Sequence, residues 1–271
     1  MEAYKDLRSL KEKMTDFLDT LAMDAANTID SGYYKTVSSM KQPRISLKKE
    51  ILECKSNSVI TEIKAASPSL GTIRNRMNPK EIAQAMEKGG AVGISVLTEP
   101  KHFKGSLSTL AQVRETVKLP ILMKDIILVA DQIEVAAQIG ADAVLLIQAL
   151  FDRGCCEMSA DKTIAFAHAK GLDVLLETHT EEEFRLAVET NADLVGINNR
   201  NLGTLKIDLN ITKEILKKNS NCRKIVVSES GIKTTNDLQF LRECGAKAFL
   251  IGSSIMLTEN IEEKVKEFVK A

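Results

Sequence analysis

Eight times between residues 58 and 253, a short run rich in Val, Ile and Leu is followed by a longer amphipathic segment. The runs are SVITEIK (58–64), VGISVLT (92–98), PILMKD (120–125), DAVLLIQ (142–148), DVLLET (173–178), DLVGINN (193–199), KIVVSES (224–230) and KAFLIGS (247–253). Their length and apolar filling on both faces predict strands buried on two sides, while segments such as PKEIAQAMEKGG and DQIEVAAQIGA carry helical periodicity. Several helical segments end in a Gly-Ala or Asn-Ala step, the chemistry that stops a helix and starts the next strand. Strands of this kind joined by helices run parallel, because a helical crossover returns the chain in the same direction. Eight successive units predict an α/β fold of the closed (β/α)8 TIM-barrel type rather than an open doubly wound sheet, and the first strand lacks the GxGxxG that the open dinucleotide-binding sheet carries.

Residues 1–50 stand outside the repeat. YKDLRSLKEKMTDFLDTLAM is helical in period and SSMKQPR reads as a polar connector. So little apolar surface would not fold alone, so the segment is expected to pack as a helical extension on a barrel of residues 51–271, one domain in all. Lys plus Arg and Asp plus Glu both number 37. With zero formal net charge there is no global field to gather nucleic acid or an anionic membrane, and any anion site must be local. The longest apolar run, AVLLIQALF, is too short to span a bilayer and the N-terminus is charged rather than signal-like. A cytoplasmic protein with no membrane partner is expected, as a monomer or a homodimer. The five cysteines form no CxxC and the three histidines are scattered, so no metal is expected, and no cofactor either.

Charged residues sit directly after the apolar runs, at their C-terminal ends. Glu62 and Lys64 end the first, Lys124 the third, Glu177 the fifth, Asn198 and then Arg200 the sixth, Glu229 and Ser230 the seventh. Glu62 and Lys64 are two apart, so on a strand they project from one face. Taken alone, that pair is a surface ion pair on an edge strand. Taken together, two lysines, three glutamates and an asparagine converging on one barrel mouth are a costly way to gain stability. The C-terminal ends of barrel strands are where active sites form, so the set points to catalysis. SESG (228–231) and IGSS (251–254) follow the last two strands with small residues and free backbone N–H groups, where such barrels hold a phosphate. Gly231 and Gly252 could serve only as turn residues; with Ser230, Ser253 and Ser254 beside them, a phosphate site is the stronger reading.

EIKAASPS (62–69), ISVLTEPKHFKGS (94–106), PILMKDIIL (120–128), GADAVLLI (140–147), LLETHTEEEF (175–184), VGINNRNL (195–202), VSESGI (227–232) and AFLIGSSIM (248–256) together resemble the indole-3-glycerol-phosphate synthase family of tryptophan biosynthesis. The resemblance covers essentially the whole barrel and the extension. It implies a phosphorylated anilino-deoxyribulose substrate bearing a benzoate carboxylate, which is cyclised, decarboxylated and dehydrated to indole-3-glycerol phosphate. By match to the family's motifs, Lys124 is the general acid, Lys64 holds the substrate's carboxylate and assists, the division between the two lysines being one the sequence leaves open, and Glu177 transfers a proton in the dehydration; Glu62, on the same strand face as Lys64, is expected to keep it protonated and aimed. Asn198 and Glu229 match residues that contact substrate hydroxyls. Ser67, Arg200, Ser230, Gly231, Gly252 and Ser253 match phosphate and substrate contacts, and Phe103, Leu145 and Leu202 are placed to line a slot for the benzoate ring.

The sequence departs from the family's pattern at Ala65, where a basic residue is common, and at Ile126, where the motif usually reads KDF. These changes remove a nearby charge and an aromatic wall. Rival readings are another phosphosugar barrel of the pathway, such as phosphoribosylanthranilate isomerase or the tryptophan synthase α subunit, a Schiff-base aldolase, and a non-catalytic barrel. The lysines argue against the isomerase and the α subunit, borohydride trapping with substrate would expose an aldolase that uses Lys124 or Lys64 as nucleophile, and both lysines together with Glu177 argue against the non-catalytic barrel.

Overall fold

The computed structural model describes residues 16–35, 43–67, 71–73 and 77–271. The rest of the expected extension, residues 1–15 and 36–42, lies outside the described residues, as do Pro68, Ser69 and the side chain of Ser67. The barrel strands are β1 (Ser58–Ile63), β2 (Gly93–Leu97), β3 (Ile121–Lys124), β4 (Ala143–Ile147), β5 (Asp173–Thr178), β6 (Leu194–Asn198), β7 (Ile225–Glu229) and β8 (Ala248–Ile251). Each pairs in parallel with the next, and β8 closes on β1 through Ser58↔Ala248 to Thr61↔Ile251. All eight expected strands are therefore present, most of them shorter than the apolar runs by one residue at each end.

The helices are α1 (Phe17–Asp30), α2 (Leu47–Glu53), α3 (Pro79–Lys88), α4 (Leu107–Arg114), α5 (Ala130–Gln138), α6 (Gln148–Asp152), α7 (Ala160–Ala169), α8 (Glu181–Glu189), α9 (Asn210–Lys218), α10 (Thr235–Glu243), α11 (Ser253–Met256) and α12 (Ile261–Lys270). Asn78, Ser106, Thr180, Thr234 and Asn260 cap the helices that follow them, each accepting a backbone N–H in the first turn.

Because side chains alternate across a strand, the barrel sorts its apolar residues into two clusters. Val59, Ile94, Val96, Val144, Leu146, Val195 and Phe249 pack outward with Ile82, Met86, Ile133, Phe184, Leu238 and Val265 of the helices. Ile60, Leu122, Leu145, Leu175, Leu194, Val227 and Leu250 fill the interior. Two residues beyond these interior positions, towards the C-terminal ends, stand Glu62, Lys124, Ile147, Glu177, Gly196, Glu229 and Gly252. The apolar core thus gives way to a largely polar rank by the strand period alone.

The N-terminal helices meet opposite ends of the barrel. Leu18, Leu21, Ala22, Ala25 and Ala26 of α1 join the interior cluster at the mouth, beside Ile126 and Leu145. Leu47 and Ile51 of α2 join the same cluster from the other end. There the N–H of Ile45 donates to Asp142 Oδ1 at 2.9 Å, and Ser46 Oγ and the N–H of Lys48 donate to Asp173 Oδ2 at 2.8 and 3.0 Å. Asp173 begins β5 and Asp142 directly precedes β4, so carboxylates at the start of two strands hold the N-terminus of α2, where a helix favours negative charge.

Candidate active site

Lys124, the last residue of β3, directs Nζ into the barrel mouth, 3.0 Å from Glu177 Oε2 and 3.3 Å from Glu229 Oε2. Glu177 and Glu229 end or nearly end β5 and β7 and are 2% and 1% exposed, too buried to stand as charges without partners. Asn198, at the end of β6 between them, donates from Nδ2 to Glu177 Oε1 at 3.0 Å. Its Oδ1 accepts the N–H of Arg200 at 3.0 Å, which turns the chain over the mouth. Burial works against the charge on Lys124, but Glu177, Glu229 and Glu62 outweigh it and hold the ammonium above the ordinary lysine pKa. The two carboxylates share that one cation and separate. Burial opposes the charge on Glu177, yet Lys124 and His179 with the Asn198 hydrogen bond keep it well below the usual range. Burial raises Glu229, and the pull of Lys124 does not offset burial and the repulsion of Glu177.

Glu62 and Lys64 form the second ion pair, Nζ to Oε1 at 2.6 Å, with side chains 5% and 13% exposed. The pair leans on β8. A Cβ on Gly252 would lie 2.5 Å from Glu62 Oε1 and 3.0 Å from Lys64 Nζ, so only glycine leaves room for it. Next to it, β7 runs into Ser230 and Gly231, both left-handed at φ 65° and 88°. A non-glycine residue rarely adopts that conformation, and Asn199 holds it by donating from Nδ2 to the carbonyls of Glu229 and Ser230 at 3.0 and 3.2 Å. A Cβ on Gly231 would meet Ile207 at 2.5 Å. Ser230, Gly231, Lys233, Gly252, Ser253 and Ser254 line a basin on this side of the mouth, with Leu205, Ile207, Ile232 and Leu257 completing its wall.

On the other side the mouth is an apolar slot. Phe103, Leu145 and Leu202, the three expected lining residues, border it together with Phe17, Leu21, Ile126 and Ile147. Glu62, Lys64, Lys124, Arg200 and Ser230 border both slot and basin, so the two lysines stand where the halves join. Burial lowers the pKa of Arg200, with Glu62 opposing that fall. The structure therefore gathers around one opening every residue singled out from the sequence except Ser67, whose side chain lies outside the described residues.

Several residues at this opening were not singled out. Phe17 and Leu21 come from α1, and nothing in their local sequence shows which surface that helix meets. Glu99 is 2% exposed and accepts the N–H groups of Lys101, His102 and Phe103 at 2.9, 2.7 and 2.9 Å, shaping the loop that presents Phe103. Asp125 is buried directly behind Lys124, where Tyr34 Oη and Thr98 Oγ1 donate to Oδ2 at 2.9 and 2.5 Å. Burial pushes the Asp125 carboxyl up to about 6, against the hydrogen bonds from Thr98, Tyr34 and the N–H of Ile126. Its place after Lys124 was a signal in the sequence, whereas its partners come from distant segments. Ile126, expected to cost an aromatic wall, is itself in the slot, where Phe17 and Phe103 supply rings.

The indole-3-glycerol phosphate synthase of Methanocaldococcus jannaschii is 46% identical to this chain over 236 residues, 84% of this chain and 85% of the relative. That of Pyrococcus furiosus is 41% identical over 228 residues, 83% and 97% of the two chains. At the level of fold alone, the structure of a thiamine phosphate pyrophosphorylase from Pyrococcus furiosus matches with a TM-score of 0.59 at 15% identity, covering 82% of this chain and 96% of that one. An N-acetylmannosamine-6-phosphate 2-epimerase from Clostridium perfringens gives 0.60 at 17%, covering 84% and 98%. The family model described as indole-3-glycerol phosphate synthase matches residues 19–268, nearly the whole chain with most of α1, and the chain belongs to that family.

Proposed function

We propose that this chain converts 1-(2-carboxyphenylamino)-1-deoxyribulose 5-phosphate into indole-3-glycerol phosphate by ring closure, loss of carbon dioxide and loss of water. The observation that carries this beyond family membership is the two-sided mouth: a slot that holds Phe17, Phe103, Leu145 and Leu202, and a basin that holds the Ser-Gly and Gly-Ser-Ser turns after β7 and β8, joined at Lys64 and Lys124. The substrate has the same two ends, an aryl ring with a carboxylate and a phosphate, and the reacting carbonyl lies between them.

The aryl ring enters the slot and the phosphate the basin, where Ser230, Gly231, Gly252 and Ser253, with Ser67 and Arg200, receive it. Lys64, aimed by Glu62, holds the carboxylate. Lys124 protonates the sugar carbonyl as the ring carbon attacks it. The ammonium stands between two carboxylates that keep it charged until a stronger acceptor arrives. Carbon dioxide then leaves and its electron pair restores the ring. In the last step Glu177 takes a proton from the carbon beside the nitrogen while the new hydroxyl leaves as water, its second proton again supplied by a lysine. Asn198 and Glu229 orient the sugar hydroxyls. Over the cycle two protons are delivered and one removed, so each turnover takes up one proton. The extension and barrel act as one unit, since α1 supplies slot residues. No helix among the described residues is long and apolar enough to cross a membrane. A soluble phosphorylated substrate and a cytoplasmic site of action fit this reading, for a monomer or a homodimer.

Mixing the purified chain with the substrate should produce indole absorbance and fluorescence with one proton taken up per turnover. The chain has no Trp, so the protein background is low. No indole signal from folded protein at saturating substrate would overturn the reading.

A further inference from the structure

Glu177 has two oxygens and only one faces Lys124. Oε2 takes the ammonium, and Oε1 takes Asn198 Nδ2 at 3.0 Å and stands 3.4 Å from Nε2 of His179. His179 follows β5 directly, and its side chain is 11% exposed. Its other ring nitrogen, Nδ1, lies 3.5 Å from Glu183 Oε2. Glu183 is fixed: it accepts the N–H of His179 at 2.7 Å and donates its own N–H to Thr180 Oγ1, the cap of α8. The ring is thus wedged between a site carboxylate and a carboxylate of the first turn of α8.

Nε2 is buried and makes no hydrogen bond. A buried polar atom in that condition is costly and calls for an explanation. Both ring nitrogens face a carboxylate oxygen, and a neutral imidazole would aim a lone pair at one of the two anions. Only the imidazolium presents a donor to each. The ring also borders an outer cavity between α8 and α9 with Glu181, Asp208, Glu214 and Lys218. Lys218 is itself 2.6 Å from Glu181, so the surroundings remain acidic on balance.

We propose that His179, as the imidazolium, is a positioning residue that keeps Glu177 anionic and in place once Lys124 has given up its proton. This rests on the roles proposed above for Lys124 and Glu177. After the first proton transfer Lys124 is a neutral amine, and Glu177 loses the cation nearest to Oε2. A buried carboxylate left with only Asn198 would take a proton early and could not accept one in the dehydration. His179 supplies the missing charge at Oε1. A shift of about 0.5 Å turns its 3.4 Å contact into a hydrogen bond of ordinary length.

The chain has three histidines, so imidazole nitrogen NMR of the substrate-free protein can resolve this one. The expected result is that both nitrogens of His179 carry protons at neutral pH in the wild type, and that Glu177→Gln loses one of them under the same conditions. A neutral His179 ring in the wild type overturns the proposal whether or not the chain turns over substrate. With substrate, His179→Ala should lower kcat roughly 10–100-fold with KM within about twofold, and move the acid limb of the kcat profile up by about one pH unit or more, the effect of losing one nearby opposite charge. His179→Gln, which keeps a donor without the charge, should recover part of kcat and leave the limb displaced. It also carries the test if the alanine variant folds poorly. Loss of kcat with the acid limb unmoved in the glutamine variant would make His179 a packing residue only.

Discussion

Oε1 of Glu62 lies 2.5 Å from where a Cβ on Gly252 would stand, and so the ion pair between Glu62 on β1 and Lys64 just beyond it depends on a glycine after β8. A loop residue read from the sequence as a phosphate contact also makes the space in which a site lysine is held. Gly252→Ala should therefore displace Glu62 and loosen Lys64. The expected result is a rise in KM together with a fall in kcat, a combined loss of about tenfold or more in kcat/KM, as for a broken charge-assisted hydrogen bond. Steady-state kinetics decide it, and wild-type parameters in that variant would show that Glu62 has another place to go.

Lys124→Ala should lower kcat by roughly two to four orders of magnitude, the usual worth of a positioned acid, with little change in substrate dissociation constant. Lys64→Ala should raise KM as well, because its contact with the carboxylate is present before reaction begins. Single-turnover rates and binding measured side by side separate the two, and an affinity loss in Lys124→Ala but not in Lys64→Ala would exchange their roles.

The ammonium of Lys124 is held above the ordinary lysine value by Glu177, Glu229 and Glu62 against burial. Glu229→Gln removes one of those charges at 3.3 Å while keeping the shape. The lysine pKa should fall, so the alkaline limb of the kcat profile should move to lower pH. An unmoved limb would mean that it reports some group other than Lys124.

Tyr34 Oη donates to Asp125, whose carboxyl burial raises to about 6 from 3.8. An acid with a raised folded pKa is a cost that is absent below about pH 4 and fully present above about pH 6, and the hydrogen bond offsets part of it. Tyr34→Phe should accordingly destabilise the protein by about 1–3 kcal/mol near pH 8 and by less near pH 5, where Asp125 is mostly protonated. Urea denaturation at the two pH values measures the difference. An equal loss at both would show that the tyrosine contributes packing alone.

Fold and site were legible in this chain to different depths. The eight apolar runs specified the strands, since a short stretch of Val, Ile and Leu filled on both faces has few other structures open to it. The strand period also specified which residues look inward. Ile60 and Glu62, Leu122 and Lys124, Leu175 and Glu177, Val227 and Glu229 are each two apart, so a polar rank above an apolar core was already written along the chain.

What remained hidden are relations between segments distant in sequence. That Glu177 and Glu229 flank the ammonium of Lys124 depends on which strands are neighbours around the closed barrel and on small staggers in register. Phe17 and Leu21 reach the slot because α1 settles on the mouth, and Tyr34 meets Asp125 across 91 residues. His179 looked like one of three scattered histidines, until the turn after β5 set it between Glu177 and Glu183. Local periodicity and turn chemistry decide elements and faces, because those depend on neighbours along the chain. Closure of the barrel decides partners, pKa values and the shape of the mouth, because these depend on distances and burial that exist only once remote segments are packed together.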